Sequence, residues 1–193
     1  MRIVKGRYEL VEKLGAGTYG KVYKARDRNT GGYVAIKILE KGNLGAEREK
    51  KRFKRELEAL SRLHNPHSVR VSDSGSDGDD LFIVMEYVQG RTLASVLHRE
   101  SPLEPVRASK IAVQILIALE ESHEKGIIHG DLKPENIMIS GKENSEWIKV
   151  IDFGVARIVG MTQTIVNENK STPLYTSPEQ ASGIPADIES DIY

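Results

Sequence analysis

The segment Ile128-His129-Gly130-Asp131-Leu132-Lys133-Pro134-Glu135-Asn136-Ile137-Met138 places a carboxylate, an ammonium group and a carboxamide within six residues. Asp152-Phe153-Gly154 follows, with Asp152 sixteen residues after Asn136. Two carboxylates and an amide bracketed by apolar strands suit a hard divalent cation held by oxygen ligands beside a phosphate. Polar residues capping turns would give similar local compositions. That bland account weakens because both motifs occur in this order downstream of a glycine loop and a strand lysine.

The glycine loop is Leu14-Gly15-Ala16-Gly17-Thr18-Tyr19-Gly20-Lys21-Val22, with glycine at i, i+2 and i+5. Lacking Cβ atoms, such a stretch lets backbone amides approach a phosphate, although the same residues also suit an ordinary hairpin turn. A dinucleotide-binding fold needs a helix directly after the glycines, whereas Val22-Tyr23-Lys24-Ala25 continues as a strand. A Walker A loop fails as well, because Val22 stands where Ser or Thr should hold Mg2+. A glycine loop joining two strands survives. Seventeen residues after Gly20, Val34-Ala35-Ile36-Lys37 sets a lysine in an apolar strand. It reads either as an edge lysine snorkelling to water or as an inward lysine that needs a carboxylate. Glu56 supplies that carboxylate, on the helix face shared with Phe53 and Leu60.

The elements that must position these groups change character near residue 90. Before it, Tyr8 to Leu14, Val22 to Arg26 and Tyr33 to Leu39 read as consecutive antiparallel strands, the last two joined by Asn29-Thr30-Gly31-Gly32. Phe53, Leu57, Leu60 and Leu63 recur at helical spacing, which predicts an amphipathic helix over 47–64. Ser72 to Asp80 reads as a turn and Leu81 to Val88 as a further strand. After Gly90, Val106, Ile111, Ile115, Leu116 and Leu119 predict one apolar helix face, with Pro105 near the first turn and Gly126 as the stop. Two short strands, Asn136 to Ile139 and Trp147 to Ile151, precede about forty residues of weak periodicity, a functional loop by its length.

Composition narrows the class. Across 193 residues, 39% hydrophobic and 29% charged side chains fit one globular domain or two small lobes. Lys and Arg total 28, as do Asp and Glu, so no net field recruits nucleic acid or an anionic membrane. The absence of cysteine removes disulfides, thiolate zinc sites and thiol nucleophiles, and fits a cytoplasmic setting. No pair of the five histidines has His-x-x-x-His spacing. The longest apolar run, Ile111 to Leu119, is interrupted by Gln114 and is too short to span a bilayer. No signal peptide is expected from Met1 to Gly6.

Taken together, the glycine loop, Val-Ala-Ile-Lys, a catalytic loop ending Asp-Leu-Lys-Pro-Glu-Asn, Asp-Phe-Gly, and Ser177-Pro178-Glu179 in place of Ala-Pro-Glu resemble the protein kinase family over the whole chain. The segment Thr172 to Gly183 is most similar to the bacterial, Hanks-type serine/threonine kinases. The resemblance implies an α+β, two-lobed fold. Residues 1–88 would form a small antiparallel β-rich lobe with one helix. Residues 89–193 would form an incomplete helical lobe carrying the catalytic loop, activation loop and acceptor-binding segment. It implies ATP with Mg2+ (or Mn2+) as cofactors, a protein substrate with a Ser/Thr acceptor and a signalling role. Asp131 would orient the acceptor hydroxyl and take its proton, and Lys133 would neutralise the migrating phosphoryl group. Asn136 and Asp152 would hold the metal, and Lys37, paired to Glu56, would bind the α- and β-phosphates. Gly15, Gly17 and Gly20 would cover the phosphates. Adenine would lie between Val22 and Ala35 on one side and Met138 on the other, bonded to the backbone of Glu86 and Val88, with Met85 as gatekeeper. Leu60, Val71, His129 and Phe153 would stack as an apolar column.

Two departures stand out. Gly130 replaces the arginine that usually precedes the catalytic aspartate and grips a phosphorylated activation loop. Modification at Thr162 and Thr164 is therefore expected to act mainly as a docking mark for partners, leaving the catalytic rate nearly unchanged. The chain also stops at Asp191-Ile192-Tyr193, where the family's central large-lobe helix would start, which reads as a fragment. Two alternatives are a small-molecule kinase, since His129-Gly130-Asp131 is similar to the loops of antibiotic phosphotransferases, and a pseudokinase binding module. Lys133-Pro134-Glu135 and the Thr172 to Gln180 segment argue against the former, and the full set of catalytic side chains against the latter.

Overall fold

The structure is a computed structural model that describes residues 2–17, 20–39, 47–142, 145–153 and 173–193. Thr162 and Thr164 lie outside the described residues. Two compact units are present, one drawn from residues 1–62 and 70–87, the other from 63–69 and most of the chain after 88.

The first unit is a six-stranded antiparallel sheet in the order β1-β2-β3-β4-β6-β5 with one helix. Its strands are β1 (Ile3–Val4), β2 (Tyr8–Gly17), β3 (Gly20–Asp27), β4 (Tyr33–Leu39), β5 (Val71–Asp77) and β6 (Asp80–Glu86), and its helix is α1 (Glu47–Leu60). Alternation along β4 divides its two faces: Ile36 and Ile38 enter a core with Val4, Tyr8, Ala25, Phe82 and Val84, so Ala35 and Lys37 point the other way. On α1, Phe53, Leu57 and Leu60 are buried at i, i+4 and i+7, and the helix packs on β5. The stretch read as a turn, Ser72 to Asp80, is mostly strand. Its Ser/Gly/Asp composition signals a turn, but the backbone pairs from Val71 opposite Met85 to Asp77 opposite Asp80, and only the tip at Gly78 (φ +62°) turns.

The open end of this sheet is fastened by charge. Asp27, buried at the end of β3, accepts from Arg7 Nε and Nη2 at 2.7 Å each, from Asn29 N at 3.0 Å and from Thr30 Oγ1 at 3.1 Å. The Arg7 hydrogen bonds outweigh burial and hold the Asp27 carboxyl down at about 2. Because that value lies below the ordinary carboxylate range, the stabilisation is present above about pH 4 and disappears as pH falls towards 2. Asp27→Ala is expected to cost about 1–2 kcal/mol, since it removes the acceptor of Asn29 N, Thr30 Oγ1 and the Arg7 fork, while Arg7 keeps Asp73 at 3.8 Å. Denaturant unfolding at pH 7 and pH 3 checks both statements: the variant's deficit should shrink at the lower pH.

The second unit contains β7 (Arg91–Thr92), β8 (Ile137–Ser140) and β9 (Trp147–Val150) as a three-stranded sheet, with α2 (Leu93–Glu100) and α3 (Pro105–Glu124). Two short helices follow, α4 (Pro178–Ala181) and α5 (Ile188–Ile192), so the described part of the weakly periodic stretch is partly helical. Helix α2 was not anticipated. It is nucleated by Thr92, whose hydroxyl accepts from Ser95 N at 3.1 Å.

Helix α3 starts on Glu104 and Pro105 and ends in a Schellman turn. Gly126 N donates to His123 O at 2.9 Å, Ile127 N to Ser122 O at 2.8 Å, and Gly126 has φ +68°. Its buried face keeps Ile111 and Leu119 of the expected one and differs at its margins. Ile111, Ala118, Leu119 and Ser122 are buried against the unit, whereas Val106 and Leu116 are exposed. Small Ala118 and Ser122 complete the buried side that Ile111 and Leu119 share, so a count of large apolar residues finds the right side of the helix but misplaces its edges. The loop 63–69 is fastened to α3 by Glu121, which accepts from His64 N at 3.0 Å and Asn65 N at 2.8 Å.

Candidate active site

In the first unit the pairing register sets the expected nucleotide residues on one sheet face. Val22 lies opposite Lys37, and Ala35 opposite Met85, with Ala35 and Lys37 two apart on β4. Lys37 is 4% exposed on a strand flanked by β3 and β6, which rules out the edge-lysine reading. Glu56 falls within α1, and its side chain lies outside the described residues. Gly15 and Gly17 pair with Val22 and Gly20 across the β2–β3 hairpin. Two of the glycines differ physically. Gly20, at φ +136°, could not carry a Cβ without colliding with the Ile38 carbonyl, so the fold itself demands glycine there. At Gly15 nothing among the described residues stands within 4 Å of where a Cβ would be, so no packing among them explains the residue. Met85 is buried in β6, and Glu86 closes that strand with its N–H donating to Arg70 O at 3.0 Å. Val88 follows β6 and is half-buried.

In the second unit the Schellman turn of α3 sends the chain through buried Ile127 and Ile128 into the loop that carries Asp131. His129 is buried with its ring 4.9 Å from that of Phe153. His129 Nδ1 faces the Asp131 N–H at 3.2 Å and Nε2 faces Ile151 O at 2.9 Å, which fits a neutral ring protonated on Nε2. Burial lowers the affinity of His129 for a second proton, against the opposing pull of the Ile151 carbonyl and the carboxylates of Asp191, Asp131 and Asp152.

Asp131 is the centre of the loop. Lys133 Nζ donates to its Oδ1 at 2.9 Å and its Oδ2 at 2.8 Å. Asn136 Nδ2 donates to its backbone carbonyl at 2.9 Å and to Oδ2 at 3.3 Å, which leaves the Asn136 Oδ1 lone pairs for another partner. A single turn over Pro134–Asn136 returns the chain to β8, and Asn136 O accepts from Ile151 N at 2.9 Å, bringing the strand that precedes Asp152 alongside. Asp152 adopts φ +64°, a left-handed conformation uncommon for a residue with a side chain and concentrated at functional sites. Met138 lies in β8, opposite Thr92 and Lys149. The structure thus gathers Asp131, Lys133 and Asn136 by direct contact within one loop, while Lys37, the glycines, Val22, Ala35 and Met85 belong to the other unit.

Asp191 escaped the sequence reading. It is 4% exposed and accepts from His129 N at 2.8 Å, Gly130 N at 2.7 Å and His123 Nε2 at 2.9 Å. The only local signal is the Asp187–Ser190 capping box that starts α5 and aims the following carboxylate inward.

Comparison with known proteins identifies the family. Residues 8–193 match the protein kinase domain, and the chain belongs to that family. Among relatives, it is 43% identical to serine/threonine-protein kinase pkn3 of Myxococcus xanthus over 97% of the chain and 36% of that protein. It is 42% identical to serine/threonine-protein kinase PknB of Mycolicibacterium smegmatis over 97% of the chain and 31% of that protein. The crystal structure of the Mycobacterium tuberculosis PknI kinase domain superposes with a TM-score of 0.76 at 28% identity, covering 98% of this chain and 71% of that one. The chain spans about a third of the length of these two curated relatives. Its antiparallel sheet with one helix, followed by a unit with helices, is the two-lobed kinase architecture, and membership of the family implies use of ATP. No helix among the described residues is long and apolar enough to cross a membrane.

Proposed function

We propose that this chain transfers the γ-phosphoryl group of ATP to serine and threonine hydroxyls of proteins. The observation that carries the reading is Asp131: a carboxylate with its side chain 35% exposed, aimed by Lys133 and Asn136 on a loop anchored to buried His129. In the reaction the acceptor oxygen bonds to the γ-phosphorus, the bond to the β–γ bridging oxygen breaks, ADP leaves, and the hydroxyl proton passes to an Asp131 oxygen. Lys133 can pass from the Asp131 oxygens to the migrating phosphoryl, which carries more negative charge. The transition state is loose and its charge dispersed, so the protein acts by positioning and electrostatics.

Lys37 meets the α- and β-phosphates, with Glu56 as its partner. The backbone of Gly15, Gly17 and Gly20 lies over the phosphates, and the open space at Gly15 fits a glycine kept for a ligand. The side chains this reading assigns to adenine are Val22 and Ala35 of the first unit and Met138 of the second, with the backbone of Glu86 and Val88 for its edge and Met85 as gatekeeper. Asn136 Oδ1 and the Asp152 carboxylate fit Mg2+, which characteristically takes one or two protein oxygens and completes its shell with phosphates and water. When bound, the ion neutralises phosphate charge. ATP as phosphoryl donor fits a reaction on the cytoplasmic side, with or without a membrane tether elsewhere in the protein.

Asp152→Asn keeps shape but removes a charge from the metal set. It is expected to lower turnover at least a hundredfold and to raise the Mg2+ concentration needed for half-maximal ATP binding, with the unfolding midpoint within a few degrees of wild type. Fluorescent-nucleotide binding titrated with Mg2+ reads the second effect directly. Near-normal turnover and unchanged Mg2+ dependence would remove Asp152 from the metal site. The acceptor class is tested by offering labelled ATP with a protein mixture or with aminoglycosides: the reading requires label on protein.

A further inference from the structure

We infer that Gln180 is a positioning residue for this reaction, a strut that ties the Ser177-Pro178-Glu179 turn to the peptide preceding Asp131. The inference rests on the kinase reading of Asp131. Gln180 Nε2 donates to the Gly130 carbonyl at 2.8 Å, bridging fifty positions of sequence. Its Oε1 accepts from Ser177 N at 3.2 Å and from Ser177 Oγ at 3.0 Å, so the other end of the same amide closes the capping box of α4.

Gly130 is the residue that most needs such support. It sits at φ +71°, and without a side chain its backbone has more accessible conformations than any other residue type. Its N–H is taken by Asp191 Oδ1 at 2.7 Å and its C=O by Gln180. The peptide that follows is held on its other edge by the Asp131 N–H donating to His129 Nδ1 at 3.2 Å. The Gly130–Asp131 peptide plane is thereby fixed from both sides, and that plane sets the direction in which the Asp131 carboxylate leaves the backbone. Having no side chain of its own to anchor it, Gly130 depends on neighbours, and Gln180 is the one that comes from the Ser177-Pro178-Glu179 turn. Displacing a catalytic group by about 1 Å can cost about a hundredfold in rate, so a strut at this peptide has leverage on turnover.

The test is Gln180→Glu. The carboxylate keeps the side-chain length and still accepts from Ser177, as in the common form of the capping box, but it cannot donate to the Gly130 carbonyl and repels it. Expected results are a kcat about tenfold or more below wild type with KM for ATP within about twofold, and amide hydrogen exchange at Gly130 and Asp131 about tenfold faster. Exchange in α4 and the unfolding midpoint should stay close to wild type. Gln180→Met, neutral and similar in volume, should speed exchange at the same two amides and guards against a folding defect in the Glu variant. Unchanged exchange at Gly130 and Asp131 in both variants overturns the strut, whatever happens to turnover. A wild-type protein that transfers no phosphate overturns the kinase reading instead, and leaves the exchange comparison to decide on Gln180.

Discussion

Asp131→Asn is expected to lower kcat by about a thousandfold while KM for ATP changes less than about threefold. General-base groups contribute about a hundred- to ten-thousandfold, and the upper half of that range applies where the group also orients the nucleophile. The amide keeps the shape of the carboxylate but has lost the oxygen proposed to take the acceptor proton. It also loses the charge that draws Lys133 Nζ to within 2.9 Å of both oxygens. Freed from that pair, Lys133 remains available to the phosphates, which is why nucleotide affinity should survive. Steady-state kinetics with ATP varied at saturating acceptor separates the two parameters. A large rise in KM with kcat intact would mean that the loop serves binding and that another group handles the proton.

Asp191→Asn should do comparable damage by a different route. The Asp191 carboxylate is almost fully buried and accepts from two consecutive loop amides and from His123 Nε2. An asparagine carries one acceptor oxygen in place of two and turns an N–H toward at least one of these donors. Leaving one buried donor unsatisfied costs about 1–3 kcal/mol, and more where a charged acceptor has been removed. We expect about 3 kcal/mol of lost stability together with a hundredfold or greater fall in kcat, because His129 and Gly130 lead directly into Asp131. Urea unfolding and turnover measured on the same preparation test the linkage. A stability loss with turnover preserved would show that Asp191 only holds the fold.

Much of this arrangement is legible in residue order alone. The glycine loop, Lys37, Asp131, Lys133, Asn136 and Asp152 stand in motifs whose spacing suits the chemistry proposed for them, and β3, β4 and β6 follow from runs of β-forming residues. Long-range contacts left no comparable trace. Asp191 bonds to residues 61 and 62 positions away, and Gln180 to one 50 positions away, and neither sits in a pattern that periodicity can detect. Local composition misled at β5, where Ser, Gly and Asp suggest a turn although an edge strand needs only backbone pairing. On α3, Ala118 and Ser122 are completely buried while Leu116 is half exposed, since closely packed positions favour small side chains. Short α2 depends on the Thr92 cap and eight residues, too few for a period of 3.6 to stand out.

The most direct test of the kinase reading is transfer of label from γ-labelled ATP in the presence of Mg2+ to a mixed protein acceptor, by wild type and by Asp131→Asn side by side, followed by identification of the labelled amino acids. The account predicts phosphoserine and phosphothreonine with the wild type and at most about a thousandth of that signal with the variant. Label confined to small-molecule acceptors, no transfer by the wild type, or equal transfer by the two proteins would contradict it.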